Sequence, residues 1–185
     1  MKVTKTEIPG LLIVQPDVFI DSRGYFFESY NKKRYTEFGI PDNFVQDNIS
    51  KSNKGTVRGL HYQVGEKAHG KLCQVIEGEV LDVAVDIRSN SPTFGKHFSL
   101  ILNSETKYQL WIPVGFAHGF SVLSDEAIFS YKCSNYYSKA DERSIIFYDT
   151  DLKIDWKIES PIVSEKDLQA ANFKDIEKDF VFTRE

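Results

Sequence analysis

The sequence predicts an all-β domain with few helices, and three observations carry that expectation. Aromatic side chains make up 14% of the chain, with 14 Phe and 9 Tyr. Such side chains fit a pleated, half-buried surface better than a helix. Gly, Pro, Asn and Asp punctuate the chain about every ten residues, the rhythm of short strands in a sandwich or barrel. Residues 79–88 alternate strictly: Val83, Val85 and Ile87 against Asp82, Ala84 and Asp86, a period of two.

The elements follow in order. Strands are expected at 43–50, 56–63 and 71–76, with Glu77-Gly78-Glu79 as a turn into the strand at 79–88. Further strands are expected at 98–102, 108–112, 119–123 and 127–133. A short helix fits 32–38, ended by Gly39 and Pro41. Ser164 followed three residues later by Asp167 makes a partial capping box, which predicts a helix from 165 to about 172. The tail to Glu185 mixes polar and aromatic residues and predicts no element. With 185 residues and no repeat, linker or low-complexity tract, residues 1–185 read as one domain.

Charge narrows the function classes. Lys plus Arg is 23 against 27 Asp plus Glu, a net charge of -4. No general attraction to nucleic acid follows, so any anion must be held by a local cluster of cations. The first residues have no apolar core of a signal peptide, and no run approaches the roughly 18 apolar residues of a membrane span. Cys73 and Cys133 form neither a metal spacing nor a disulfide framework. A reduced cytoplasmic protein is the simple expectation.

The histidines carry the first chemical hint. His61 lies six residues after Gly55, and His118 five after Pro113. Both settings resemble the two metal-binding motifs of the cupins, which implies a jelly-roll β barrel. The second ligand position of the first motif is occupied here by Gln63. The glutamate position, counted back from Gly78, falls on Lys71. A protonated ammonium has no lone pair and repels a cation, and two imidazoles alone make a poor site. The barrel is therefore expected to hold no metal and no other cofactor. Taken alone, His61 and His118 would pass for hydrogen-bonded core residues.

The surrounding residues are more specific. Arg58-Gly59-Leu60-His61-Tyr62-Gln63 sets a guanidinium three residues before an imidazole. On a regular strand the two would face opposite sides, unless Gly59 supplies a bulge or Arg58 acts at the rim. Together with 21–28, 44–50, 71–88, 112–120 and 164–167, this stretch resembles the dTDP-4-dehydrorhamnose 3,5-epimerases, over about residues 8–167. That resemblance implies proton abstraction beside a C4 ketone of a dTDP-sugar, an enolate, and reprotonation from the opposite face. It implies His61 as base, since imidazole titrates near neutral pH, and Asp167 as its orienting carboxylate. Lys71 is implied to face the enolate oxygen, and Tyr131 to return the proton. Arg58 and His118 are implied to contact diphosphate and sugar. Arg23 is implied to hold phosphate in the partner's site, with Glu28, Gln46, Asp47 and Asn48 near the nucleotide. Tyr137 and Phe19 are implied to sandwich thymine, with Glu142 and Lys166 as weaker assignments. A homodimer with exchanged N-terminal strands is implied too. Two alternatives stay open: a single-centre epimerase or ketoisomerase of a related dTDP-deoxysugar, and a non-catalytic sugar-binding cupin.

Overall fold

The computed structural model describes residues 1–41 and 43–183. In chain order the strands are β1 (Lys2–Lys5), β2 (Leu12–Gln15), β3 (Val18–Asp21), β4 (Gly24–Phe27), β5 (Gln46–Asn53), β6 (Val57–Gln63), β7 (Lys71–Glu77), β8 (Glu79–Asp86), β9 (His97–Asn103), β10 (Gln109–Ile112), β11 (Phe116–Val122), β12 (Glu126–Cys133) and β13 (Glu142–Ser144). The helices are single turns, α1 (Lys32–Thr36) and α2 (Glu165–Leu168). A six-stranded sheet runs β1-β2-β10-β7-β12-β5 and a five-stranded sheet β13-β6-β11-β8-β9. Strands β3 and β4 make a separate hairpin. The all-β expectation holds, with the helices peripheral.

Packing explains the two-sheet form. Val75, Ala84, Leu110, Phe120 and Phe129 meet in the apolar cluster between the sheets. A second cluster joins Val83 and Val85 of β8, and Ile87 just after it, to Phe147, Leu152 and Trp156 from the chain after β13. The alternation along β8 is therefore not core against solvent. Odd positions pack under the C-terminal chain, and even positions, Asp82 and Asp86 included, are buried as well. A third cluster sets α1 through Tyr35 against Leu12, Val14, Leu72 and Trp111.

Three expectations need correction. The helix expected at 165–172 stops at Leu168, because the chain turns back to the sheet. Ile146 N donates to Ala171 O at 2.8 Å, and Phe173 N to the Asp149 carboxylate at 2.7 Å. The strand expected at 43–50 begins at Gln46 and runs on to Asn53, paired along its length with β12. The short strands β1 to β4 and β13 carried no readable alternation, and they are held by pairing with neighbours.

The feature that builds the site is a bulge in β6. His118 of β11 faces His61, and Phe120 faces Arg58, so three steps on β6 match two on β11. Arg58 and His61 thereby line the same cavity. Gly59 makes this possible with a φ of +124°, and its backbone lies against Gly119. A Cβ on Gly59 would stand 2.5 Å from Gly119 Cα and 2.8 Å from His118 O, both backbone atoms. Gly59→Ala is expected to destabilise by about 2 kcal/mol or more through overpacking and the positive φ. In a thermal melt the midpoint should fall by about 4–8 °C; an unchanged midpoint would mean that the two strands are not held this close.

Candidate active site

One open cavity of about 540 Å³ is lined by strands of both sheets. Its walls include Asn48, Arg58, His61, Lys71, His118, Tyr131, Lys166 and Asp167. A recess of about 210 Å³ shares Asn48, His61, Lys71 and Tyr131, and adds Gln46, Gln63, His69, Tyr137 and Glu142.

The centre of the cavity is a His–Asp pair. His61 Nε2 lies 2.7 Å from Asp167 Oδ1. Asp167 is 3% exposed. Ser164 caps α2 by accepting from Asp167 N at 3.1 Å, and this single turn aims the carboxylate inward. Burial alone would raise the Asp167 pKa, but the His61 hydrogen bond and charge, the Gly59 amide and Ser164 together hold it below the usual carboxylate range. An ionised Asp167 accepts from His61 Nε2–H, which leaves the lone pair on Nδ1.

Two groups face this pair. Lys71, the first residue of β7, sits with its Nζ 5.7 Å from the centre of the Tyr131 ring. Burial pushes the Tyr131 phenol up to about 12, so it stays protonated at neutral pH. A second pair lies deeper. His118 Nε2–H donates to Asp82 Oδ1 at 2.7 Å, and both residues are buried. Burial holds the His118 pKa down, and Asp82 only partly offsets it. Arg58 is steadied by donating Nε–H to Ser52 Oγ at 3.0 Å.

Among the described residues, Cys73, Asp82 and His118 form the one group whose ligand atoms all lie within 4.8 Å of one another. The donor set fits an ion poorly. Burial drives the Cys73 pKa well above the usual range, so it is a thiol and not a thiolate. The His118 nitrogen nearest the thiol is already spent on Asp82.

A family model described as dTDP-4-dehydrorhamnose 3,5-epimerase matches residues 5–175. This chain belongs to that family. It is 55% identical over 176 residues to the dTDP-4-dehydrorhamnose 3,5-epimerase of Shigella flexneri, covering 95% of this chain and 97% of the relative. It is similar to the crystal structure of the Legionella pneumophila dTDP-6-deoxy-D-glucose-3,5-epimerase in complex with dTDP-4-keto-L-rhamnose. That likeness has a TM-score of 0.95, 48% identity and 99% coverage of both chains. A more distant structure, a 3'-monoepimerase from Streptomyces bikiniensis in complex with dTDP-quinovose, is 31% identical with a TM-score of 0.86, covering 91% of this chain and 86% of that one. The fold is the cupin-type jelly roll expected from the two histidine motifs.

The structure brings together most of the residues singled out from sequence, and leaves four apart. Gln46 and Asn48 line the recess, but Asp47 between them points to the other face of β5, where it pairs with Lys132 at 2.8 Å. Glu28 pairs with Arg34 at 3.5 Å, outside both cavities. Arg23 and Phe19 lie on the β3–β4 hairpin, with Arg23 paired to Asp21 at 2.6 Å and facing solvent. Sequence reasoning missed Asp82, Ser52 and Ser164 as partners of His118, Arg58 and Asp167. Only Ser164 carried a signal, as a helix cap.

Acid should weaken this structure. Burial, with the Lys71 charge adding, pushes the His69 pKa down to about 4. An unfolded chain takes that proton near the ordinary value of about 6.5, so it binds more protons in between, and stability falls as pH drops through that window. His118 and His97, also held down by burial, act in the same direction. Asp167 adds a loss once pH falls through its lowered folded value. Melts between pH 7 and pH 4 should show a falling midpoint, and His69→Asn should flatten part of the slope. An unaltered slope in that variant would clear His69 of any share.

Proposed function

We propose that this chain epimerises dTDP-4-dehydro-6-deoxy-D-glucose at C3 and C5, giving dTDP-4-dehydro-L-rhamnose. The observation that carries this reading is the 2.7 Å His61–Asp167 pair in a cavity that also holds Lys71 and Tyr131. The C4 ketone acidifies the neighbouring C–H bonds. His61 Nδ1 takes the proton, and the electron pair of the C–H bond becomes an enolate. Asp167 holds the ring and stabilises the imidazolium. Lys71 supplies a fixed positive charge for the enolate oxygen. Tyr131 gives its phenolic proton to the opposite face of the carbon, and both groups then re-equilibrate with solvent. The same cycle at the second centre completes the double inversion. No metal is needed, and the amide of Gln63 at the ligand position is engaged with Ser138. The likeness to a 3'-monoepimerase favours one narrower reading, inversion at C3 alone.

Binding follows the same division. Arg58 faces the diphosphate and His118 the sugar, while Tyr137 stacks on thymine, with Gln46 and Asn48 along the nucleotide. Glu142 pairs with Lys166 and accepts from the Tyr137 hydroxyl at 3.0 Å, which favours a supporting role for both charges. The enzyme acts as a homodimer whose N-terminal strands exchange, so that Arg23 and Phe19 complete the partner's site. In support, the hairpin leaves Phe19, Ile20, Tyr25 and Phe26 exposed at its surface. The setting is cytoplasmic. Both cysteines are free, and among the described residues no helix is long and apolar enough to cross a membrane.

In deuterated water, His61→Ala should slow solvent exchange at C3 and C5 by about 10²-fold or more, the usual worth of a positioned base. Undiminished exchange would remove His61 from the role. Tyr131→Phe should spare exchange and impair inversion; equal loss of both would give Tyr131 a different task. Light scattering at micromolar concentration should give the mass of a dimer, and Arg23→Ala should weaken dTDP binding without changing that mass. A monomer that binds dTDP normally would end the exchange model.

A further inference from the structure

We propose that Gln63 is a positioning residue that holds the loop carrying Tyr137 in its base-stacking pose. The proposal deepens the reading above and rests on Tyr137 contacting the nucleobase. Gln63 ends β6 and is 6% exposed. Its side-chain amide meets both polar backbone groups of one residue in the loop between β12 and β13. Ser138 N donates to Gln63 Oε1 at 2.8 Å, and Gln63 Nε2 donates to Ser138 O at 3.0 Å. A side chain here replaces the pairing that a neighbouring strand would give.

The clamp is one of three on consecutive amides. Tyr136 N donates to Asn135 Oδ1 at 2.8 Å, and Tyr137 N donates to Gln46 Oε1 at 3.0 Å. The backbone on both sides of Cα of Tyr137 is thus fixed by two glutamines from two different sheets, Gln46 of β5 and Gln63 of β6. The ring itself is 49% exposed, so packing does little to place it. Its hydroxyl donates to Glu142 Oε2 at 3.0 Å, and Glu142 stands opposite Gln63 in the β13–β6 pairing. A loop held this way loses less freedom when a base stacks on Tyr137, and that saving appears as affinity. Gln63 occupies the position where the resembling motif carries a metal-binding histidine. In this chain its head group serves the loop.

The test is a double-mutant cycle read by dTDP titration calorimetry and by KM and kcat. Tyr137→Ala alone should weaken dTDP binding about 10-fold, the worth of a lost base–aromatic stack. Gln63→Met should weaken it about 5-fold and raise KM similarly, with kcat within about twofold, the cost of one freed segment. Gln63→Glu keeps the volume and the acceptor for Ser138 N but loses the donor, so it should also weaken binding even if Gln63→Met folds poorly. In the Tyr137→Ala background, Gln63→Met should add nothing. Normal binding by Tyr137→Ala would overturn the nucleobase contact and the positioning role with it. Weakened binding by Tyr137→Ala, with both Gln63 variants at the wild-type Kd, would overturn the positioning role alone. A full extra loss in the double variant, or a fall in kcat as large as the rise in KM, would overturn it too.

Discussion

The hydrogen bond from His61 to Asp167 is the constraint on which the site depends. It joins two residues 106 apart in the chain, one on a bulged strand and the other on a single helical turn. A buried carboxylate without partners would be costly, and Asp167 avoids that cost with His61, the Gly59 amide and the Ser164 side chain. Two local devices bring these groups together. The bulge at Gly59 provides the amide and turns His61 inward, and the cap at Ser164 starts the turn that delivers Asp167. The remaining C-terminal chain is anchored by Phe147, Leu152 and Trp156 against the outer face of the five-stranded sheet. Packing on the outside of the barrel thus sets the geometry of a pair on the inside.

The charges around that pair divide the labour. Asp167 is held ionised and Tyr131 is held protonated, and burial bears on both. A carboxylate tolerates burial because three groups compensate it, whereas a phenol is neutral and simply becomes harder to ionise. One site therefore contains an imidazole backed by an anion and a proton donor that waits until a strong base forms nearby. An enolate is such a base. In the proposed mechanism Lys71, with its Nζ 5.7 Å from the Tyr131 ring centre, faces that charge.

Much of the architecture was legible because long strands carry their own signal. Strands at 71–76, 79–88 and 127–133 were found within a few residues, since β-branched and aromatic runs between turn residues have few other uses. The four-residue strands β1 and β2 were not: β1 pairs only with β2, and β2 is held to the sheet by β10, far along the chain. Asp82 shows a different limit. It alternates with Val83 as a solvent-facing residue would, and only the six-stranded sheet packed over that face, with Cys73 of β7 close by, makes it a buried partner for His118. Asp47 was grouped with Gln46 and Asn48 by adjacency, but strand alternation sends it to the opposite face. The His61–Asp167 pairing came from family resemblance, since nothing local links two residues so far apart. Arg58 and His61 share a side for a reason that was visible, the glycine between them.

The most direct measurement is solvent exchange by the Asp167→Asn variant. Asparagine keeps the size of the side chain but removes the charge that holds the His61 ring with its free lone pair toward the substrate. With dTDP-4-dehydro-6-deoxy-D-glucose in deuterated water, deuterium incorporation at C3 and C5 should fall together by about 10²-fold or more, while dTDP still binds as it does to the parent chain. Exchange at the parent rate would contradict a base whose competence depends on this pair.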